Sequence, residues 1–253
     1  MQSYNIINTT QNKEYNLNIN NIIELIRTYP NDNFIKFIDG KQVQICNQLA
    51  LNTLFICHRI NTIDELSHIP NMFGLEIDIR DDPNTNELHL SHDPFNLGVS
   101  LDEYLQYNNS NNHNTIILNI KSERTELKCI ELMQKYNIEN YFFLDTNMPM
   151  TYLLNNKYNN QKIACRFSEF EPIENYIKIK NMITWIWVDC FTIQPLTNDI
   201  YHIMKCDGKR VCIVSPELQG SIEKIEPYRQ QFINNNIIPD AICCKLYNII
   251  KWI

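Results

Sequence analysis

Eight short apolar runs constrain this chain more than any other feature. They fall at 53–59, 74–80, 115–121, 141–145, 162–168, 184–189, 210–215 and 240–245, and each is closed by a polar or charged residue. A strand covered on both faces reads as a continuous apolar run rather than as an alternation, so runs of this kind point to a parallel sheet. Helical patterns lie between them at 101–107, 123–136, 172–180, 197–205 and 221–234. Eight strands alternating with helices predict an α/β fold, a single (β/α)8 TIM barrel over 51–253. A doubly wound open sheet is the competing arrangement, but no Gly-rich phosphate loop follows the first run, and the chain has only five glycines. At 253 residues there is material for one such barrel or for two small domains.

Residues 1–50 precede the repeat and are expected to form a short N-terminal extension. Residues 20–29 carry helical periodicity stopped by Pro30, and 34–38 with 42–46, joined by Asp39-Gly40, predict a hairpin. The Asn-rich stretch 108–114 is expected to be a loop. A net charge of −7 without a basic cluster argues against a nucleic-acid partner. There is no secretion-type leader and no apolar run long enough to span a bilayer, so a cytoplasmic protein is expected. The nine cysteines are scattered without a C-x-x-C pair, which speaks against zinc and redox motifs and for buried reduced thiols.

The ends of the runs carry the chemistry. They place His58 and Arg59, Glu76 and Asp78, Asn119 and Lys121, Asp145, Arg166 and Ser168, Asp189, Ser215 and Glu217, and Lys245 at corresponding positions. In a barrel these ends meet at one mouth, where such enzymes keep their active sites. Glu76, Asp78 and Arg80 are two apart and share a strand face. Two adjacent carboxylates repel unless a cation or a proton holds them, and hard cations take oxygen ligands. The alternative is a half-exposed strand with a solvated charged face. Trp185 and Trp187 share the parity of Asp189, as barrel packing or as an apolar wall beside a substrate.

Cys57-His58-Arg59, then Glu76-x-Asp78, then His92-Asp93 resemble, in order and spacing, the glycerophosphodiester phosphodiesterases. The wider phosphatidylinositol-specific phospholipase C-like group of barrel phosphodiesterases shares that layout. Pro239-Asp240-Ala241-Ile242 is similar to the start of that family's last strand. The resemblance implies a metal-assisted phosphodiester hydrolase acting on a small polar diester. His58 and His92 would be its acid and base, and Arg59 and Lys121 would contact phosphate. A divalent cation, Mg2+ or Ca2+, would sit on Glu76, Asp78 and the residue at 119. Arg166, Asp189, Glu217 and Lys245 are candidates for substrate recognition, with a structural ion-pair network as the equal alternative.

Two departures qualify the match. Ile60-Asn61-Thr62 follows the His-Arg pair without the family's glycine or the carboxylate of its Glu-Asn-Thr segment. The family's Glu-x-Lys on the third strand reads Asn119-Ile120-Lys121, an amide in place of the third carboxylate. Glu123, two residues beyond Lys121, is a candidate to compensate. Three outcomes therefore remain open: a hydrolase, a lyase that stops at a cyclic phosphate, and a phosphate-binding barrel without efficient turnover. An assembly protein that uses the barrel as a scaffold has no sequence support beyond residues 1–50.

Overall fold

The computed structural model describes residues 1–253, the side chains of 109–111 excepted. The chain opens with a hairpin, β1 (Ser3–Asn8) and β2 (Lys13–Asn18), followed by α1 (Ile19–Thr28) and a second hairpin, β3 (Phe34–Ile38) and β4 (Lys41–Gln44). These strands form one antiparallel sheet in the order β2-β1-β3-β4. The first hairpin has no counterpart in the sequence reading, because asparagines are poor strand formers and mask the alternation of Tyr4 and Ile6. Helix α1 buries Ile19, Ile22, Ile23 and Ile26 on one face, and Asn18 caps its start.

The barrel follows. α2 (Asn47–Asn52) leads into β5 (Leu54–Cys57), α3 (Ile63–Ser67), β6 (Gly74–Asp81) and the short β7 (Leu88–Leu90). Next come α4 (Leu101–Asn111), β8 (Ile116–Ile120), α5 (Glu126–Lys135), β9 (Tyr141–Leu144) and α6 (Met148–Tyr158). The chain continues through β10 (Ala164–Phe167), α7 (Ile173–Ile179), β11 (Trp185–Val188) and α8 (Asn198–Cys206). It closes with β12 (Arg210–Val214), α9 (Ile225–Asn234), β13 (Ala241–Cys244) and α10 (Ile249–Trp252). All eight apolar runs are strands of one parallel ladder, ordered β10-β11-β12-β13-β5-β6-β8-β9. The ring closes between β9 and β10 through a single bridge, Phe143 with Ile163. β7 is antiparallel to the end of β6, with Ile79 opposite Leu90.

Several of these elements differ from the sequence reading or have no counterpart in it, α4 and α6 among them. α4 runs through 108–111, where a loop was expected, and ends at Asn112 in the left-handed conformation that asparagine tolerates. α6 lacks a strong helical signal because of its asparagines and Pro149. It starts because Asn147 caps the Met150 N–H and because proline suits the first turn of a helix.

Strand parity sorts the core into two layers. Ile56, Ile117, Phe142, Leu144, Ala164, Trp185, Trp187, Cys212, Val214, Ala241 and Cys243 fill the barrel interior. Both tryptophans are thus barrel packing, and Phe142 stacks on Trp185 at 4.5 Å. The alternate residues, including Leu75, Ile77, Leu118 and Phe143, join the helices in the outer core. Gly74 lets β6 pass close to its neighbours, since a Cβ there would lie 2.8 Å from the Thr115 carbonyl. The N-terminal sheet shares the outer core and is tied to the last helices. Lys36 is wholly buried and donates to the Ile250 carbonyl at 2.7 Å and to that of Ile253. Arg229 Nη2 reaches the Gln44 carbonyl at 2.6 Å. All nine cysteines are unpaired, and burial pushes the Cys57 thiol up to about 12. No helix is long and apolar enough to cross a membrane, among the described residues.

Candidate active site

β5 ends at Cys57, and the chain turns at Arg59, whose φ of 54° places a non-glycine residue in the left-handed region. That conformation costs on the order of 1–3 kcal/mol and persists only where neighbours enforce it. Here the Arg59 N–H donates to Glu76 Oε2 at 2.7 Å, and the Ile60 N–H to the Glu76 carbonyl at 2.9 Å. The turn leaves the His58 side chain only 16% exposed, with its Nε2 3.8 Å from Glu76 Oε2. Burial, and then the charges of Lys245 and Arg59, lower the His58 pKa to about 3, so its ring is neutral at physiological pH.

Glu76 and Asp78 point into the barrel from β6 and are fully buried. Asp78 lies in register with Asn119 of β8. Asn119 Nδ2 donates to Glu76 Oε1 at 2.7 Å and to Asp78 Oδ1 at 3.2 Å. Asn61 Nδ2 donates to Asp78 Oδ2 at 2.8 Å, while Asn61 Oδ1 accepts the Asp78 N–H at 2.9 Å. Two cations face Asp78: Lys121 Nζ is 3.7 Å from Oδ1 and Arg59 Nε is 4.0 Å from Oδ2. The Glu76 pKa is raised by burial and by the neighbouring Asp78, against the hydrogen bonds from Asn119 and Arg59.

His92 is carried on the loop after β7. Its Nδ1 lies 2.8 Å from Asp93 Oδ1 and its Nε2 lies 2.5 Å from Arg59 Nη2. A guanidinium only donates, so Nε2 is the accepting nitrogen and Nδ1 carries its hydrogen toward Asp93. Arg80 braces this loop, donating to the His92 carbonyl at 2.9 Å and to the Lys121 carbonyl at 3.2 Å. Gly98 lets the loop close, because a Cβ there would collide with the Leu90 carbonyl.

The far side of the mouth is built around Arg166. Its Nε donates to Asp145 Oδ1 at 2.6 Å and its Nη1 to Asp189 Oδ2. Lys121 Nζ also reaches Asp145 at 3.4 Å, which joins the two sides. Trp187 Nε1 and Gln219 Nε2 donate to Asp189 at 3.1 and 3.3 Å. Burial alone would push the Asp145 carboxyl up, but the hydrogen bonds and charges of Arg166 and Lys121 outweigh it and hold the pKa below its ordinary value. Burial wins at Asp189, whose pKa is raised despite Arg166. A cleft of about 430 Å³ beside the β9–β10 seam exposes the outer flank of Asp145 and Arg166.

The structure therefore brings His58, Arg59, Glu76, Asp78, His92, Asn119 and Lys121 together, and sets Arg166 and Asp189 across the mouth from them. Lys245 stands behind His58, its Nζ donating to the His58 carbonyl at 3.0 Å. Glu217 is taken up by the Lys245 N–H at 3.2 Å and by the Ser215 hydroxyl. Ser215 departs from the expected mouth position: it is buried and accepts from Trp252 Nε1 at 2.7 Å. Glu123 does not compensate for Asn119. It is exposed in the turn after Lys121, and no third acidic, His or Cys side chain completes a metal-binding group with the pair, among the described residues. Sequence reasoning missed Asn61 and Gln219 and gave Asp145 no role. Asn61 had a signal, its place just after the His-Arg pair; Gln219 had none.

A Mg2+ or Ca2+ ion takes six or more oxygens, with carboxylates supplying most of the protein's share. The donor set here fits such an ion poorly, because each of the four oxygens of Glu76 and Asp78 already accepts an N–H of the chain.

No family model matches the sequence, and no curated protein does. Solved structures do match in fold. A glycerophosphodiester phosphodiesterase from Parabacteroides distasonis superposes with a TM-score of 0.54 at 14% identity, over 76% of this chain and 92% of that one. One from Agrobacterium tumefaciens gives 0.56 at 11% identity, over 76% and 96%. A phosphodiesterase from Oleispira antarctica, solved with the product sn-glycerol-3-phosphate, gives 0.56 at 12% identity, over 79% and 95%. The chain has the barrel fold of these enzymes.

Proposed function

We propose that this protein cleaves a small phosphodiester by acid/base catalysis at the mouth of its barrel. The observation that carries the reading is the convergence of His58, Arg59, His92 and Lys121 around one buried carboxylate pair. An attacking oxygen must lose a proton as its bond to phosphorus forms, and the leaving oxygen must gain one as its bond breaks. Two imidazoles at one mouth suit that exchange: His58, neutral, takes the first proton, and His92 returns the second from Nε2 when it enters the step protonated and released from Arg59. Arg59 and Lys121 supply positive charge for the phosphoryl oxygens, Arg as a fork and Lys as a point charge. When the nucleophile is water the product is a monoester. When it is a hydroxyl next to the phosphate, the product is a cyclic phosphate and the enzyme is a lyase.

The shared fold supports this reading, including the Oleispira antarctica enzyme that holds sn-glycerol-3-phosphate. A glycerophosphodiester or a related polyol diester is accordingly the substrate class to try. Arg166, Asp189, Glu217 and Lys245 are assigned to the walls of the site, where they fix its shape and offer donors and acceptors to a polyol. Residues 51–253 are taken as the catalytic barrel domain and 1–50 as an appended unit. The unpaired thiols suit a reducing compartment such as the cytoplasm.

The test is turnover of bis(p-nitrophenyl) phosphate and of glycerophosphodiesters by wild type, His58→Ala and His92→Ala. Turnover lost in both variants supports the proposal. A protein that turns over none of these substrates but is thermally stabilised by glycerol phosphate is a binding barrel instead. The amide at 119 favours that second reading, since it removes a charge from the site.

A further inference from the structure

We propose that this mouth handles a phosphate group without a divalent cation, with Arg59 and Lys121 supplying the positive charge beside Asp78. The inference deepens the phosphodiester reading for the phosphate contact, but its statement about cations stands on the donor set alone.

Three features carry it. First, the carboxylate pair is satisfied by the chain itself. Glu76 accepts Asn119 Nδ2 on one oxygen and the Arg59 N–H on the other, both at 2.7 Å. Asp78 accepts Asn119 Nδ2 at 3.2 Å and Asn61 Nδ2 at 2.8 Å. A cation bound between the carboxylates would compete with these N–H donors for the same four oxygens.

Second, the amides are oriented. Asn61 presents its Nδ2 to Asp78 because its Oδ1 is held by the Asp78 N–H at 2.9 Å, so turning it over would lose both bonds. Asn119 spans both carboxylates with one NH2 group, which leaves its Oδ1 on the other side of the amide, buried and without a protein partner. Ligation of one ion by Glu76, Asp78 and Asn119 together would require that amide to turn over and set an oxygen against two carboxylates.

Third, cations of the chain already face Asp78: Lys121, which it shares with Asp145, at 3.7 Å and Arg59 at 4.0 Å. A carboxylate at 119 would add a negative charge here and favour a dication; an amide adds none, and buried ionic groups are costly unless they are paired.

The experiment uses the full chain and isothermal titration with Mg2+ and with Ca2+ as the probes, alongside thermal unfolding. The expected result for wild type is no saturable binding and no change in Tm at millimolar cation. Asn119→Glu, or Asn119→Asp if the longer side chain does not fold, is expected to gain cation-dependent stabilisation. Inorganic phosphate is expected to stabilise wild type equally in EDTA and in Mg2+, and Lys121→Met to lose most of that effect. Saturable Mg2+ or Ca2+ binding by wild type that disappears in Glu76→Gln overturns the proposal. Wild type that is silent to both cations and stabilised by phosphate, yet cleaves no phosphodiester, upholds it and defeats the catalytic reading instead; wild type that phosphate does not stabilise overturns the phosphate contact.

Discussion

The two sides of the mouth use similar groups in opposite ways. Across it, Arg166 is clamped between Asp145 and Asp189, and Trp187 and Gln219 complete Asp189. None of the buried side-chain atoms of those three charged residues lacks a partner, among the described residues. On the histidine side, Nδ1 of His58, Oδ1 of Asn119 and Nε of Arg80 are all buried without a protein partner. Buried polar atoms cost free energy unless they are bonded, so a cluster of such atoms marks a place selected for something other than stability. Left-handed backbone does not separate the sides, since Arg59 and Asp145 both adopt it; the unpartnered atoms do. The Arg166 side is a closed network that holds shape, and the histidine side keeps hydrogen-bonding capacity in reserve.

If that contrast is right, variants on the two sides separate activity from stability. The largest effect is expected for His58→Ala and His92→Ala. Each should lower kcat/KM for a glycerophosphodiester about 10²–10⁴-fold, the usual contribution of a positioned acid or base. Tm should stay close to wild type, and a matched loss of Tm would break the contrast. Arg166→Ala should do the reverse. It strands Asp145 and Asp189 and should destabilise the fold by about 3 kcal/mol, the penalty for leaving buried charge unpaired. Denaturant midpoints measure this, and replacing Asp145 as well should recover part of the loss.

A smaller effect is expected for Asn61→Ala, which removes a neutral donor from Asp78 and an acceptor from its N–H. The cost should be about 1–2 kcal/mol, below that of Arg166→Ala, because no charge is stranded. The smallest is a pH effect. The pKa of Asp145 is lower in the folded chain than in the unfolded one, so its contribution is present above the unfolded pKa and is lost as pH falls through the folded value. Asp145→Asn should therefore flatten the acid limb of a Tm–pH profile. An unchanged limb would mean that the Arg166 cluster is not the closed network described here.

The fold was legible because barrel strands are covered on both faces. That turned β5, β6 and β8 to β13 into apolar runs whose polar ends mark the mouth. Elements without that constraint were harder to read. β1 and β2 are rich in asparagine, and α6 begins because of a cap rather than a helical composition. In the site, residues on adjacent strands were readable from parity, as with Asp78 opposite Asn119. Residues brought in by turns were not: Asn61 and Gln219 reach Asp78 and Asp189 only because the backbone bends at 59–61 and 216–219.

The sequence by itself determined the barrel, the order of its strands' polar ends and the identity of the groups at its mouth. Those follow from periodicity and burial, which are local along the chain. Tertiary structure decided which of the groups are partners. It paired Arg166 with Asp145 and Asp189, left Glu123 outside, and set the amides of Asn61 and Asn119 against the carboxylates. Hydrogen bonds are short and directional, so an ångström of strand register or one left-handed turn settles such pairings. Neither is encoded in the spacing of residues along the chain.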